Sequence, residues 1–101
     1  METVRMLNAG RFVSRGRGRH GTRVIDSYEL IYVDAGKLEM FEAGRTFRLS
    51  AGEWLLLRPG RRHGGLAAYE PQLVFYWGHF VPRGPEGGAR LEAMPSSGRS
   101  G

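Results

Sequence analysis

The clearest structural signal in the sequence lies in residues 28–60, which read YELIYVDAGKLEMFEAGRTFRLSAGEWLLLRPG. Short segments rich in Val, Ile, Leu, Tyr and Phe alternate there with turns that contain glycine or proline, which is typical of consecutive strands. The pattern predicts strands over residues 28–33, 37–42, 46–49 and 53–57. Several short strands at close and even spacing favour an antiparallel sandwich or small barrel, so we predict an all-β fold.

The flanking sequence supplies the remaining strands. Residues 73–81 are predicted to form the longest strand. A core of about sixty residues is small for an eight-stranded jelly roll, so one or two strands must come from residues 4–14, where Phe12 and Val13 are candidates. Residues 87–94 could form a helical turn or two, and nowhere else does the apolar spacing favour a helix.

The chain divides into three regions within a single domain, because 101 residues leave no room for a second one. Residues 1–21 form a flexible polar arm, part of which could add a strand, and residues 22–81 form the barrel. Residues 82–101 are rich in Pro, Gly and Ser and poor in large apolar side chains. We therefore expect a tail that is disordered or that serves as an interdomain linker.

Composition excludes several classes of protein. The absence of cysteine rules out disulfides, thiolate zinc sites, iron–sulfur clusters and a catalytic thiol. We find no signal peptide and no apolar run that could span a bilayer, so we expect a cytoplasmic protein with no membrane partner. The net charge of +5 comes with fifteen basic residues, fourteen of them arginine, spread along the chain. This charge permits contact with nucleic acid without requiring it.

Two known sequence motifs then occur in order. The first cupin motif has its counterpart in Glu29, Val33 and Gly36. The second has its counterpart in Gly52-Glu53, Leu55, Leu57, Pro59-Gly60 and His63. Together with residues 23–33 and the segment FYWGHF at 75–80, these motifs resemble the N-terminal effector-sensing cupin domain of AraC-type bacterial transcription regulators. The resemblance covers roughly residues 22–81.

The resemblance implies a jelly-roll-like cupin barrel that senses a small-molecule effector, such as a sugar or another small polar metabolite. Members of the family usually place this sensor before a DNA-binding domain of two helix-turn-helix units, and they act as dimers. Too few residues follow Phe80 for two such units, so we expect DNA to be bound only through a C-terminal domain absent from this chain. A homodimer is possible, and the sequence leaves open whether the chain is a sensor fragment or a stand-alone cupin.

Enzymatic cupins usually hold a divalent metal through a His-x-His pair, a glutamate four residues later and the histidine of the second motif. Counted back from Glu29, the pair falls on Arg23 and Ile25, which cannot coordinate a metal. Glu29 and His63 remain, and His20 would have to fold back from the arm to join them. We therefore predict no metal, no other cofactor and no catalytic residues, and the alternative is a stand-alone cupin with metal-dependent enzymatic activity.

Strand alternation selects the side chains that would face an effector. If Glu29 points inward, Arg23 does so too, and one face of the long strand is assigned to the cavity. The predicted ligand-binding residues are Arg23, Glu29, His63, Phe75, Trp77 and His79. Trp77 would stack on a sugar or an aromatic ligand, and the polar residues would fix its orientation.

The same side chains could instead have structural roles. The alternatives are an ion pair between Arg23 and Glu29, hydrogen-bonded structural histidines, and Trp77 as part of the core. Residues 15–20 are a candidate lid over the cavity, or otherwise a solvated loop.

Overall fold

The computed structural model describes residues 3–100, which form eight strands and one helix. In chain order these are β1 (Val4–Val13), β2 (Tyr28–Ala35), β3 (Lys37–Glu42), β4 (Arg45–Ser50), β5 (Glu53–Leu57), β6 (His63–Gly65), β7 (Val74–Pro82), α1 (Gly84–Ala93) and β8 (Ser97–Arg99). The strands predicted from the sequence are all present, with ends that differ by at most two residues. The three-residue β6 was not predicted.

The strands form two antiparallel sheets with a common core between them. The larger sheet has the strand order β1-β7-β2-β5-β8, and the smaller one has the order β4-β3-β6. This arrangement confirms the predicted all-β barrel, and β1 is the strand that the sequence analysis expected from residues 4–14.

The main core is built from the inward side chains of both sheets. Ile31 of β2, Leu55 of β5 and Met40 of β3 are completely buried in it. Their chain neighbours Leu30 and Leu56 lie on the outer face of the larger sheet, as the two-residue period of a strand requires. Full burial of an aliphatic side chain stabilises the fold by about 1.5–3 kcal/mol, so this layer holds the two sheets together.

The segment after β7 differs from the prediction. Helix α1 buries Leu91 in a second small core on the outer face of the larger sheet, together with Tyr28, Leu56 and Phe80. The next strand, β8, pairs with β5 at the sheet edge. The expectation that this segment is too poor in apolar residues to join a core was wrong, because one buried leucine and backbone pairing attach it to the barrel.

Arg58, just after β5, links this segment to the barrel by hydrogen bonds. The residue is 7% exposed, and its guanidinium group donates hydrogen bonds to the carbonyl oxygens of Leu91 and Met94 and to the hydroxyl of Ser96. These carbonyls lie in the last turn of α1 and at the residue just after it, where backbone acceptors have few helical partners. The side chain of Arg58 therefore acts as a C-terminal cap that also joins α1 to the sheet.

Candidate ligand-binding site

A cavity of about 320 Å³ lies on the inner face of the larger sheet. Its walls come from β1, β2, β7 and two loops, and are formed by Asn8, Phe12, His20, Arg23, Glu29, Tyr69, Phe75, Trp77 and His79. This volume is at the lower end of the range for small-molecule sites. The cavity can therefore accept a metabolite of modest size.

Strand pairing brings its polar and aromatic side chains together. Glu29 of β2 lies directly opposite His79 of β7, and Ile31 lies opposite Trp77. Side chains two residues apart share a face of the sheet, so Phe75, Trp77 and His79 all reach the same cavity.

One wall of the cavity is aromatic. The Trp77 indole packs edge to face on His79, with ring centroids 5.5 Å apart, and it lies over Gly10 of β1. A Cβ atom at Gly10 would come within 2.6 Å of the indole, so the ring can lie there because residue 10 has no side chain. Phe12 continues the wall by packing on Phe75 at a centroid distance of 4.9 Å.

Glu29 is the electrostatic centre of the site. Its carboxylate is 2% exposed and has four cationic or ionisable neighbours within 3.6–3.9 Å: His20, Arg23, His63 and His79. Burial on its own would raise the pKa of Glu29, but favourable interactions with His20, His79 and Arg23 outweigh burial and lower the pKa. Glu29 is therefore a carboxylate at neutral pH.

His63 is completely buried beside that carboxylate. Its Nε2 atom is 3.7 Å from Oε1 of Glu29, which is too long for a hydrogen bond. Within residues 3–100, neither ring nitrogen of His63 nor Oε1 of Glu29 has a hydrogen-bond partner. Burial lowers the pKa of His63, so its imidazole is neutral at pH 7.

The loop between β1 and β2 brings a third imidazole to the site. Residues 14–22, here called the connecting loop, follow the barrel wall: the Gly18 carbonyl accepts from the amide of Tyr69, and the His20 carbonyl accepts from the amide of Gly65. Gly18 has a φ of +81°, which other residues rarely adopt. This path places Nε2 of His20 3.9 Å from Glu29, so His20 does fold back into the barrel.

The structure places five of the six predicted ligand-binding residues in the cavity wall: Arg23, Glu29, Phe75, Trp77 and His79. The sixth, His63, contacts Glu29 but does not line the cavity. His20, Asn8, Phe12 and Tyr69 were not among the predicted contacts. Asn8 and Phe12 follow from the alternation of β1 once its inner face is known, whereas His20 and Tyr69 lie in loops that give no periodic signal.

Within the described part of the chain, no helix is long and apolar enough to cross a membrane. The one helix there, α1, has ten residues.

Solved structures share this fold at low sequence identity. An RmlC-like cupin from Shewanella frigidimarina superposes with a TM-score of 0.60 at 19% identity, over 82% of this chain and 78% of that one. ToxT from Vibrio cholerae superposes with a TM-score of 0.52 at 10% identity, over 82% of this chain and 32% of that one. These matches confirm the predicted cupin fold.

Sequence comparisons identify the family. The chain is 36% identical over 74 residues to YisR, an uncharacterized HTH-type transcriptional regulator of Bacillus subtilis (strain 168). That alignment covers 73% of this chain and 26% of the relative, so the chain spans about a quarter of the relative's length. The family model of the AraC-like ligand binding domain matches residues 9–85. The chain therefore belongs to the family of AraC-like ligand-binding domains.

Proposed function

We propose that the cavity binds a sugar or another small polar metabolite, and that the chain is thereby the effector-sensing domain of an AraC-type transcription regulator. The observation that carries this proposal is the composition of the cavity wall. Trp77 and Phe75 form an aromatic surface beside Arg23, Glu29 and His79, which supply hydrogen-bond donors and acceptors. Family membership supports the sensing role, and the composition of the wall supports the ligand class.

A carbohydrate matches both kinds of surface. Its C–H groups pack on an aromatic ring, and its hydroxyl groups both donate and accept hydrogen bonds. The charges in the wall favour a neutral ligand, because Arg23 lies 3.6 Å from Glu29 and the two charges offset each other. A dianionic ligand would upset that balance beside the buried carboxylate of Glu29.

In the proposed regulator, DNA is bound by a C-terminal domain outside this chain, and the protein acts in the cytoplasm as a homodimer. The segment that follows β7 would connect the sensor to that domain. The effector would act by its different affinity for two arrangements of the connecting loop or of this segment, which shifts their populations.

Tryptophan fluorescence tests ligand binding directly. The chain has two tryptophans, Trp54 on the outer face and Trp77 in the cavity, so a Trp54→Phe variant reports from the cavity alone. We expect saturable quenching by one or more members of a panel of neutral monosaccharides, sugar acids and small hydroxy acids. The hit is then measured by calorimetry on the wild-type chain.

Two variants of β7 make the test specific. Trp77→Ala removes the aromatic wall, and we expect it to abolish binding while the far-ultraviolet circular dichroism spectrum stays that of the wild type. Tyr76→Ala is the matched control, because Tyr76 is the next residue on the same strand but lies exposed on the opposite face. Equal affinity in the Trp77→Ala variant, or binding lost equally in both variants, would contradict the assignment of the cavity.

A second function has one observation in its favour. Three imidazoles surround the buried carboxylate of Glu29, which would suit a stand-alone cupin with metal-dependent enzymatic activity. The two functions differ in the fate of the ligand. Nuclear magnetic resonance of the hit, incubated with protein and zinc, manganese or iron, shows an unchanged ligand for a sensor and a converted one for an enzyme.

A further inference from the structure

Three segments that are distant in the sequence bring metal-ligating atoms to one point. His20 comes from the connecting loop, Glu29 from β2 and His63 from β6. One donor atom of each lies within 4.8 Å of the other two. All three side chains are at most 9% exposed. They form a compact interior cluster rather than a chance meeting of surface groups.

The spacing is close to that of a metal site. Bonds of about 2.0–2.1 Å at tetrahedral angles put the ligand atoms about 3.4 Å apart. The Glu29 oxygens are 3.9 Å from His20 and 3.7 Å from His63, and one donor atom of each residue lies within 4.8 Å of the others. Inward shifts of about 0.5–1.4 Å would therefore let the three side chains share one ion. His79 Nε2, 3.7 Å from the same carboxylate, is available as a fourth ligand.

The cluster also has unused bonding capacity. Oε1 of Glu29 and both ring nitrogens of His63 have no hydrogen-bond partner within residues 3–100. Buried polar atoms of this kind are rare because leaving them unpaired is costly. An ion between His20, Glu29 and His63 would satisfy two of these three atoms.

From this geometry we propose that His20, Glu29 and His63 bind a divalent transition-metal ion of the zinc type, and that the ion ties the connecting loop to the barrel. Imidazole and carboxylate donors suit zinc, nickel, cobalt or iron better than magnesium or calcium. The inference is independent of any organic effector. It reverses the expectation from sequence, because the connecting loop supplies one histidine, whereas the two motif positions, Arg23 and Ile25, supply none.

Arg23 offers the competing explanation of the cluster. Its guanidinium group is 3.6 Å from Oε1 of Glu29 and could balance the negative charge of the carboxylate without a metal ion. The Arg23 side chain is 49% exposed, so it can turn toward solvent when an ion binds. The two explanations differ in whether the His20 side chain contributes to the binding of a metal ion.

Calorimetry with zinc chloride alone tests the proposal. All three histidines of the chain lie at this cluster, so a tag-free, chelator-treated protein offers no other imidazole. We expect saturable binding of one zinc ion per chain that persists in excess magnesium. His20→Ala should weaken binding by at least about tenfold, since even partners behind the ligands affect metal affinity that much. Arg17→Ala, an exposed change in the same loop, should leave affinity unchanged.

Limited trypsin digestion tests the tie to the loop. Arg15, Arg17 and Arg19 are exposed cleavage sites there. Zinc should slow cleavage at these sites in the wild type and have no effect in His20→Ala, which keeps every barrel residue and so remains folded. The proposal is overturned if zinc fails to saturate the wild type, if His20→Ala binds with wild-type affinity, or if zinc leaves digestion of the wild type unchanged. Any of these results leaves effector binding untouched as a separate question.

Discussion

Replacing Arg58 by alanine should loosen the segment that contains α1 and β8 without changing the cavity. Arg58 donates to the carbonyl oxygens of Leu91 and Met94 and to Ser96, and the bond to Ser96 is 3.1 Å long. Hydrogen bonds from a charged donor contribute about 1.5–3 kcal/mol each. The bond to Leu91 is at the distance limit of 3.5 Å, so two bonds carry most of the effect.

The net loss is smaller than the sum of these bonds. Arg58 is desolvated in the fold, and the partly exposed Met94 can bind water once the guanidinium group is gone. We therefore expect the free energy of unfolding to fall by about 2 kcal/mol. In a domain of this size such a loss lowers the melting temperature by about 8–16 °C.

Two measurements check this expectation. Urea unfolding gives the free energy, with Arg62→Ala as the control because Arg62 is exposed and carries the same charge. In a Trp77→Phe background, Trp54 reports on β8, since its indole lies against Gly98. We expect its emission to shift to the red in Arg58→Ala below the main transition. The reasoning is refuted if both the unfolding free energy and the Trp54 emission match those of the Arg62→Ala control.

Three further changes test other parts of the structure. Gly10→Ala places a methyl group in the space of the Trp77 indole, so ligand affinity measured by calorimetry should drop and urea unfolding should show a loss of about 1–3 kcal/mol. Leu91→Ala should cost about 2–5 kcal/mol in the same unfolding assay, because Leu91 is the buried contact of α1. Glu53 accepts hydrogen bonds from the Ser50 amide and hydroxyl, which lower its pKa below 4.5. The ionised Glu53 side chain therefore stabilises the fold above pH 4.5, and this stabilisation is lost as the pH falls through the lowered pKa of Glu53. Glu53→Gln should therefore reduce the free energy of unfolding at about pH 7 and have less effect at about pH 3. Equal effects at both pH values would contradict this explanation.

The strands and their faces could be predicted because both depend on local pattern. Glycine and proline mark the turns between β2 and β5, and a strand repeats every two residues. That repeat was enough to place Phe75, Trp77 and His79 on one face, which the cavity confirms. Their binding role remains a prediction, since alternation says which side chains share a wall and not what the wall binds.

The attachment of the C-terminal segment could not be predicted because its contacts are distant in sequence. Arg58 resembles any other arginine of the chain until its acceptors at Leu91 and Met94, 33 and 36 residues away, are known. Helix α1 has only one large buried side chain, Leu91, so it shows no apolar stripe. The composition of this segment predicted disorder, but a few specific hydrogen bonds hold it against the barrel.

The position of His20 was missed for a related reason. The connecting loop has no repeating pattern, and its path depends on the carbonyl oxygens of Gly18 and His20, which accept hydrogen bonds from the amides of Tyr69 and Gly65. Motif counting could show that Arg23 and Ile25 are not metal ligands, but it could not show that another histidine occupies the space. For that reason the sequence argued against a metal, whereas the placement of His20 beside Glu29 and His63 is what supports our proposal of one.

The cavity and the C-terminal segment are connected in two ways. His79 in the cavity wall lies on β7, which leads directly into α1. Glu29 is paired across the sheet with Leu57, and the next residue is Arg58, whose side chain holds the end of α1. Both connections start at the Glu29–His79 pair, so we expect a ligand that moves this pair to weaken the attachment of α1. A sensor that works in this way requires Arg58→Ala to bind ligand at least as tightly as the wild type, because ligand and attachment oppose each other. In the Trp77→Phe background its Trp54 emission should no longer respond to ligand, whereas loss of affinity would place Arg58 in the binding site itself.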